Sequence, residues 1–391
     1  MKKILLVIMS LLLLCSCAKI NSDEATKEEP TPEYALTKED SDDEVIGVWL
    51  PIYELSGKSK TESQFKERAK EIIENCELLS VTDIFIQVRA NCDSIYPSKF
   101  FPPSFYFSSN GKLNFDALKI FLSAAHKKNI RVHAWINPYR LSSDFFKENT
   151  TPEILKKADI IVAGNGKYLD PASQRVNKLV LSGIREILEN YEVDGIHIDD
   201  YFYPATDEKI DENEYNEYLK SGGSLALEDF RRNTVSFLVS SIFSLVKSYG
   251  ENKIFSVSPC ADIDKNISTL YADVKLWCSQ GGYADWIIPQ IYFGFENSSM
   301  PFDKCLEKWK KLAENSSVRL LTGLAVYKAG QEDKYAGSGK NEWLESNDII
   351  AREVEYLRKN EISGFVLFSY NYVFGNKNFT KYEVKNLKSV I

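Results

Sequence analysis

From residue 45 onwards, short apolar runs rich in β-branched residues alternate with longer segments in which apolar residues recur every three or four positions. The short runs predict buried β-strands, and the longer segments predict amphipathic helices. Eight strands are predicted, at residues 46–50, 83–89, 130–136, 195–199, 254–258, 286–292, 319–326 and 364–370. Helices are predicted between or after them, at residues 63–79, 115–128, 176–191, 228–249, 303–314, 347–359 and 381–390.

Regular alternation of strands and helices predicts parallel βαβ units. Eight such units over about 340 residues fit an α/β fold of the (β/α)₈ TIM-barrel type, which tolerates loop insertions of this extent. We therefore predict a single barrel domain over residues 45–391. An open, doubly wound sheet is the competing architecture. Neither G-x-G-x-x-G nor G-x-x-x-x-G-K-[ST] follows any predicted strand, which excludes the usual nucleotide-binding forms of that sheet.

The fourth predicted strand reads GIHID and is followed by a second aspartate. Because side chains alternate along a strand, Ile196 and Ile198 are expected to face the helices, while His197 and Asp199 point into the barrel. Asp200 then lies at the rim. The same alternation predicts an inward direction for further residues on strands two, three and six: Gln87, Arg89, His133, Trp135, Asn137, Gln290 and Tyr292. Most of these inward polar residues stand near the carboxyl ends of strands, where barrel active sites lie.

The two adjacent carboxylates are the leading catalytic candidates. A carboxylate inside a barrel mouth is costly to desolvate unless it is paired or used in catalysis. Arg89 and Arg140 are the expected counter-ions, and a purely structural pair of Asp199 with Arg89 is the alternative. In the catalytic interpretation Asp199 is a nucleophile or stabilises an oxocarbenium-like transition state. Neighbouring carboxylates also push their pKa values apart, which can provide an acid and a base in one site.

Glycoside hydrolysis normally needs a second carboxylate across the glycosidic bond. Glu296, in the loop after strand six, is the leading candidate for this general acid/base. Asp262, Asp93 and Glu54, which follow strands five, two and one, are the other candidates. Asp285 is a weak candidate because it precedes strand six and should lie at the opposite end of the barrel.

His133 and His197 leave a metal-dependent alternative open. Together with Asp199 they could bind a metal ion and serve a hydrolase or deacetylase. No H-x-H or H-E-x-x-H spacing accompanies them, so we expect no metal and no cofactor, and we expect these histidines to contact substrate or orient the carboxylates. His126 is expected to end a helix as a cation or to serve as a packing residue. A non-catalytic carbohydrate-binding protein is a further alternative. Aromatic residues after strand ends favour sugar stacking in either case: Trp135, Tyr139, Tyr201, Tyr203, Tyr292, Phe293, Tyr327 and Tyr370.

The first residues are expected to target the protein rather than to join the fold. Lys2 and Lys3 precede an apolar stretch at 4–14 that is too short to span a bilayer as a mature helix. The following Leu-Cys-Ser-Cys resembles the bacterial lipobox, which implies a signal peptide at 1–17 and lipidation of Cys17; an ordinary signal peptide is the alternative. Residues 18–44 are acidic and aperiodic and predict a solvated tether. We expect an extracytoplasmic protein anchored to the cell membrane.

Composition excludes several other classes. The formal net charge of −8 argues against a nucleic-acid partner, which would require a basic face. Five cysteines remain after the leader, an odd number without any C-x-x-C, so neither a zinc ribbon nor a disulfide framework is indicated.

Four segments resemble the glycosyl-hydrolase-like family 10 domain, a TIM-barrel group of bacterial surface and secreted proteins. They read IFIQVRANCDSIYPSKFFPPS, AAHKKNIRVHAWINPYR, VDGIHIDDYFYP and WIIPQIYFGFE, and the resemblance covers roughly residues 45–370. It implies glycoside hydrolysis at the strand carboxyl ends. Some relatives are implicated in cutting peptidoglycan glycan strands, notably strands stripped of peptides. A polysaccharide or glycan strand is therefore the expected substrate, and substrate assistance by an N-acetyl group, oriented by Asp199 or Asp200, stays open.

The resemblance also implies a set of site residues. They are Arg89, Asp93, His133, Asn137, Tyr139, Arg140, His197, Asp199, Asp200, Tyr201, Gln290 and Tyr292. One position departs from the pattern. Some members place an acidic residue two positions after the tyrosine of strand six, where this chain has Gly294, and Glu296 comes two positions later. No appended wall-binding module is expected, since the chain ends about twenty residues after strand eight.

Overall fold

The structure is a computed structural model that describes residues 43–142, 152, 154–375 and 378–391. The predicted leader, Cys17 and the predicted tether up to residue 42 lie outside the described residues. The barrel strands are β1 Val45–Leu50, β2 Asp83–Arg89, β3 Arg131–Ile136, β4 Gly195–Ile198, β5 Ile254–Val257, β6 Trp286–Ile287, β7 in two segments, Arg319–Leu320 and Thr322–Leu324, and β8 Gly364–Leu367.

The strands pair in parallel and in chain order, and the sheet closes on itself. β1 pairs with both β2 and β8, so the first and last strands are neighbours. The first segment of β7 pairs with β6 and its second segment pairs with β8. Leu321 between the two segments donates its backbone N–H to Ile287, 3.0 Å away. The predicted (β/α)₈ barrel is confirmed.

Helices lie between and after the strands. They are α1 Ile52–Ser56, α2 Glu62–Glu77, α3 Ala117–His126, α4 Gln174–Asn190, α5 Glu212–Lys220, α6 Leu227–Lys247, α7 Ile263–Ser268, α8 Val274–Ser279, α9 Phe302–Ala313, α10 Glu342–Glu345, α11 Ile349–Lys359, α12 Tyr370–Phe374 and α13 Lys381–Lys388. Side-chain caps start several of them where the sequence supplies Thr, Asp or Ser: Thr61 for α2, Asp116 for α3 and Ser173 for α4. None of the helices in the described ranges has both the length and the apolar character to cross a membrane.

Alternation along the strands divides the core into two layers. Ile84, Ile86 and Val88 of β2 are fully buried against the surrounding helices. Phe85, between them, belongs to a smaller cluster inside the ring, with Val45, Trp49, Trp135, Ile254, Trp286, Ile288, Leu321 and Val366. Each such fully buried apolar side chain stabilises the fold by about 1.5–3 kcal/mol. The inner cluster fills the barrel below its carboxyl end.

The end of β2 departs from simple alternation. The β2–β3 register shifts between Gln87, which pairs with Trp135, and Arg89, which pairs with the outward-facing Ile136. This extra residue turns Arg89 away from the barrel interior, as a β-bulge does. β6 is also shorter than predicted: regular pairing ends at Ile287 because Pro289 has no N–H to donate, and only Gln290 adds isolated bridges.

A small antiparallel sheet, here called the side sheet, is inserted after β3. Its strands are Arg140–Ser142, Ile160–Ala163 and Gly166–Leu169. A two-residue loop joins the last two strands, and its first residue, Gly164, has φ of 57°, a conformation that favours glycine. The side sheet was not predicted. It stands above the carboxyl end of β3 and forms a wall of the cavity described below.

The long connection after β4 is held by a buried ion pair. Arg231 of α6 donates hydrogen bonds of 2.6–3.2 Å to the carboxylate of Asp211, and both side chains are fully buried. Arg231 also bonds Tyr271, and Tyr203 bonds Asp211. Removing one partner of a buried ion pair leaves the other charge without a partner, which is strongly destabilising. This cluster therefore holds the chain segment after Asp199 and Asp200 in one conformation.

Candidate active site

A cavity of about 500 Å³ opens at the carboxyl ends of the strands. Its lining comes from strand ends and the loops after them: Trp49, Pro51, Tyr53, Gln87, Trp135, Arg140, Ala163, Asn165, Gly166, Tyr168, Asp199, Asp200, Tyr201, Ser258, Gln290, Tyr292 and Phe368. This is the volume of a small-molecule or oligosaccharide site, and its walls combine aromatic rings with charged and amide side chains. Seven of the sequence-predicted site residues line it: Trp135, Arg140, Asp199, Asp200, Tyr201, Gln290 and Tyr292.

Asp199 stands at the end of β4 and faces the cavity, as the alternation predicted. Its side chain is only 3% exposed. Trp135 Nε1 donates to its Oδ2 at 3.0 Å, and Asn137 Nδ2 donates to the same oxygen. The backbone N–H of Tyr201 lies 3.4 Å from Oδ1. Because two N–H donors occupy Oδ2, a proton on this carboxyl group resides on Oδ1, which is therefore the oxygen available for chemistry.

A directional chain of hydrogen bonds fixes Asn137 behind Asp199. The N–H of Ile52, at the start of α1, donates to Gln87 Oε1 at 3.1 Å. The amide nitrogen of Gln87 then donates to Asn137 Oδ1 at 2.6 Å. Each amide has one carbonyl and one NH₂ end, so these two bonds leave the NH₂ of Asn137 to face Asp199. Asn137 is thus a positioning residue that does not itself line the cavity.

Asp200 lines the cavity beside Asp199 and is more exposed than Asp199. Burial, followed by the charge of Asp200, raises the pKa of Asp199 to about 7. Burial also raises the pKa of Asp200, against a hydrogen bond from Gln290 that lowers it. Gln290 is itself held by a 2.9 Å bond to the backbone oxygen of Ser258. Two adjacent carboxyl groups with raised pKa values share protons as a pair in the neutral range.

Arg140 supplies the positive charge of the site. Its guanidinium carbon lies 3.6 Å from the ring centroid of Tyr201, a cation–π stack at the cavity wall. Its charge lowers the pKa values of both Asp199 and Asp200, which places it close to both carboxyl groups. Of the two arginines predicted as counter-ions, the structure brings only Arg140 to the aspartates.

His197 points into the barrel as predicted, but it lies beneath the cavity and is fully buried. Trp49 Nε1 donates to its Nε2 at 3.1 Å, and Ser258 Oγ lies at the same distance from that nitrogen. Nδ1 lies 2.8 Å from Ser256 Oγ. Because an indole N–H can only donate, Nε2 is the unprotonated nitrogen and Nδ1–H donates to Ser256. Burial keeps the pKa of His197 well below its ordinary value, so the ring is a neutral support for the cavity floor.

His133 lies deeper, near the amino-terminal end of the barrel. Its Nε2 is 2.7 Å from Asp83 Oδ1, and its ring stacks on Phe85 with centroids 4.5 Å apart. Arg131 also bonds Asp83, at 2.8 Å through each of two nitrogens. His133 therefore does not reach the cavity, and the expectation that it contacts substrate is corrected. Within the described ranges, no group of three or more His, Cys, Asp or Glu side chains is arranged to hold a metal ion.

Three further residues implied by the resemblance lie outside the cavity. The β2 bulge places Arg89 against the ring of Phe101, 4.0 Å from its centroid, and close to Gly183 of α4. Asp93 accepts the backbone N–H groups of Ala90 and Asn91 at 3.0 Å, which closes the turn after β2. Tyr139 is fully buried, and its hydroxyl faces Asn177 of α4 at 3.4 Å. These side chains shape the loops rather than the cavity.

Glu296, the leading candidate for the second carboxylate, is not brought to the cavity. Its side chain is exposed, and its backbone N–H donates to Glu342 Oε2 at 3.0 Å. The same carboxylate lies where a side chain on Gly294 would project, with Oε2 1.9 Å from an ideal Cβ at that position. Glu342 therefore captures the loop after β6 and turns Glu296 outward. This corrects the expected position of Glu296 and explains why glycine occupies position 294.

The other carboxylate candidates also have structural partners. Glu54 is 2% exposed and accepts from Ser369 Oγ at 2.6 Å and from the N–H of Asn371 at 2.8 Å. Asp262 caps α7. Asp285 bonds the N–H of Phe255 at the start of β5, which confirms its expected place at the opposite end. Among the described residues that line the cavity, Asp199 and Asp200 are therefore the only carboxylates.

Several lining residues were absent from the sequence-based set. Trp49 and Phe368 lie on the inward side of β1 and at the end of β8, so alternation along those strands could have found them. Tyr53 lies in α1, the helix after β1, and is 45% exposed. Asn165 and Tyr168 belong to the side sheet, for which the sequence offers two local signals, the β-branched run at 160–162 and the Gly-Asn-Gly turn at 164–166.

Comparison with known proteins agrees with this architecture. Over 97% of its length the chain is 28% identical to "Glycosyl hydrolase DigH" of Escherichia coli K12, covering 94% of that protein. It is 30% identical to "Glycosyl hydrolase YngK" of Bacillus subtilis over 74% of this chain and 62% of that protein. The glycoside hydrolase domain of PgaB (BpsB) from Bordetella bronchiseptica superposes with a TM-score of 0.58 at 12% identity, covering 89% of this chain and 98% of that one. This structural similarity shows that the chain shares its fold with the PgaB domain.

The family described as "Glycosyl hydrolase-like 10" matches residues 44–338, which include β1 to β7, the side sheet and every residue of the cavity except Phe368. Because the match spans more than half of the chain and the full-length relatives are glycoside hydrolases, this chain belongs to the glycosyl hydrolase-like 10 family and is a glycoside hydrolase.

Proposed function

We propose that this enzyme cleaves glycan strands built from N-acetylhexosamines, such as peptidoglycan strands without peptides, and that the acetamido group of the substrate takes part in the reaction. The observation that carries this proposal is the pair Asp199 and Asp200, the only carboxylates among the described lining residues. Two neighbours on one strand end cannot flank a glycosidic bond from opposite faces as retaining and inverting carboxylate pairs do. A substrate that supplies its own nucleophile removes that requirement.

The proposed roles follow from the contacts of each aspartate. We assign the negative charge of the pair to Asp199 once substrate is bound, because two N–H donors and nearby Arg140 favour its carboxylate form. In the free enzyme burial and the charge of Asp200 raise the pKa of Asp199 to about 7, so the two carboxyl groups share one proton. Asp200 is the more exposed carboxyl group, and the raised pKa that burial gives it suits a general acid. Residue Glu296, which the sequence favoured for the acid, is replaced in this role by Asp200.

The reaction then proceeds in two balanced steps. The acetamido oxygen attacks the anomeric carbon while the bond to the leaving oxygen breaks, and Asp200 gives its proton to that oxygen. The cyclic oxazolinium that forms is cationic, and the carboxylate of Asp199 stabilises it. Water next attacks the anomeric carbon, Asp200 takes a proton from the water, and the acetamido group is restored. Two displacements at one carbon retain its configuration.

The chemical test compares matched substrates. Chito-oligosaccharides and peptide-free glycan strands are expected to be cleaved, with the first-formed product keeping the anomeric configuration of the substrate by ¹H NMR. Cello-oligosaccharides, which carry a hydroxyl in place of the acetamido group, are expected to react at least about 10²-fold more slowly, because they lack the internal nucleophile. Inversion, or equal rates on both series, would contradict substrate assistance. Binding without any released product would instead support the alternative of a non-catalytic carbohydrate-binding protein.

We also propose that Cys17 anchors the enzyme on the extracytoplasmic face of the membrane. Glu44, at the predicted end of the tether, forms bonds of 2.8 and 2.7 Å with Arg358 just before β1 begins. The chain therefore enters the barrel at the amino-terminal end of β1, opposite the cavity.

Cys17→Ser is expected to abolish incorporation of a labelled fatty acid and to release the protein from the membrane fraction, since two or more acyl chains are needed for firm anchoring. Cys15→Ser is the matched control, because Cys15 lies two positions earlier, in the segment that cleavage removes. This substitution should leave both properties unchanged. Membrane retention and labelling of the Cys17→Ser protein would refute the anchor.

A further inference from the structure

Four aromatic rings form a continuous row that leaves the cavity, here called the aromatic track: Tyr292, Tyr327, Tyr372 and Phe379. Successive ring centroids are 5.9, 6.0 and 6.3 Å apart. Tyr292 lines the cavity, whereas Phe379 at the far end is 40% exposed. The track crosses the loops after β6, β7 and β8, so it runs along the same carboxyl-end face as Asp199 and Asp200.

Packing of the core accounts for the inner end of the track but not for its outer end. Tyr292 and Tyr327 also contact Phe368, with centroids 5.8 and 6.1 Å away, as core aromatics do. Phe379 has no such enclosure on its exposed side, and Tyr53 at the cavity mouth is 45% exposed. All four rings keep part of their surface exposed, and partly exposed aromatic side chains that continue a binding cavity are typical of a ligand-binding groove.

We propose that the aromatic track binds further sugar units of the same chain, beyond the unit held at Asp199 and Asp200, so that the enzyme acts on long glycan strands rather than on short fragments. The apolar face of a pyranose ring matches an aromatic ring, while its hydroxyl groups stay in water. This inference rests on the proposed function for the identity of the sugars, but the track would require only a chain of pyranose rings.

The experiment compares Phe379→Ala with wild type on two substrates. On the β-1,4-linked hexasaccharide of N-acetylglucosamine, kcat/KM is expected to fall about 2- to 10-fold, the size of one aromatic contact. On the 4-nitrophenyl glycoside of N-acetylglucosamine, which fills only the position at the aspartates, it should not change. Phe379→Tyr should restore the hexasaccharide rate. Phe237→Ala, which removes a phenylalanine of α6 that is 62% exposed against 40% for Phe379, is the control.

Equal effects of Phe379→Ala on both substrates, or no effect on either, would overturn the track. Failure of the proposed function can be distinguished from failure of the aromatic track. If wild type cleaves neither substrate, affinity electrophoresis through gels with soluble glycol chitin or hydroxyethylcellulose still tests the track. Retardation of wild type that Phe379→Ala abolishes would support it, and absence of retardation would reject it. Unchanged melting temperatures show that the variants are folded.

Discussion

Asp199→Asn is expected to lower kcat on N-acetylhexosamine strands by about 10³-fold, equal to about 4 kcal/mol of transition-state stabilisation. The variant removes the negative charge that faces the developing cation but keeps an oxygen to accept from Trp135 and Asn137. It should therefore lose turnover on every substrate, including aryl glycosides with good leaving groups. Initial rates on both substrate types, with circular dichroism as the folding check, measure this effect.

Glu296→Gln is the matched control for Asp199→Asn. The structure turns this glutamate outward, so the substitution should leave kcat within a factor of about 2 of wild type. If Glu296→Gln instead removed activity while Asp199→Asn remained active, the assignment of the site to the aspartate pair would fail.

Asp199→Asn also makes a prediction about stability. Burial, followed by the charge of Asp200, raises the pKa of Asp199 from 3.8 to about 7 in the folded protein. Between those values the folded state binds more protons than the unfolded state, so the stability of wild type falls as pH rises through this window. The neutral asparagine removes that fall. The difference in melting temperature, variant minus wild type, should therefore increase between pH 4 and pH 7.

Asp200→Asn is expected to lower kcat on natural glycan strands by about 10²- to 10⁴-fold, because it deletes the proton donor to the leaving oxygen. A 2,4-dinitrophenyl glycoside needs no such proton, since its leaving group is a weak base. The loss of kcat/KM on that substrate, which reports the first step, should be no more than a few-fold, whereas its kcat also includes the second step, in which Asp200 acts as the base. This difference between leaving groups separates Asp200 from Asp199, for which both substrates should fail alike, and an equal loss on both would remove Asp200 from the role of acid.

The pH profile provides the companion measurement. The general acid must hold its proton, so kcat/KM of wild type on glycan strands should fall above about pH 7, where the coupled pair loses its shared proton. The same descending limb should be weak or absent with the dinitrophenyl glycoside. A profile that stays flat to pH 9 on glycan strands would contradict proton donation by this pair.

Much of this protein follows from local patterns. The alternation of strands and helices is enough to predict a closed (β/α)₈ barrel, because each element must bury one apolar face. Alternation inside one strand is enough to place His197 and Asp199 inward. The long motifs around Asp199 and Asn137 are enough to indicate the family.

Contacts between distant segments determine the rest. A single bulge at the end of β2 turns Arg89 out of the barrel, and no periodicity within the strand predicts that extra residue. Glu342 captures the loop that carries Glu296, 46 residues away along the chain. Gln87 of β2 orients Asn137, which follows the neighbouring strand β3. The side sheet, an insertion after β3, supplies a wall of the cavity.

The physical reason for this division is the range of the interactions. Hydrophobic periodicity acts within a few residues and sets the direction of a side chain on its own strand. The position of a loop depends on hydrogen bonds and burial against segments far away in the chain, so its residues reach or miss the cavity only when the whole barrel has closed.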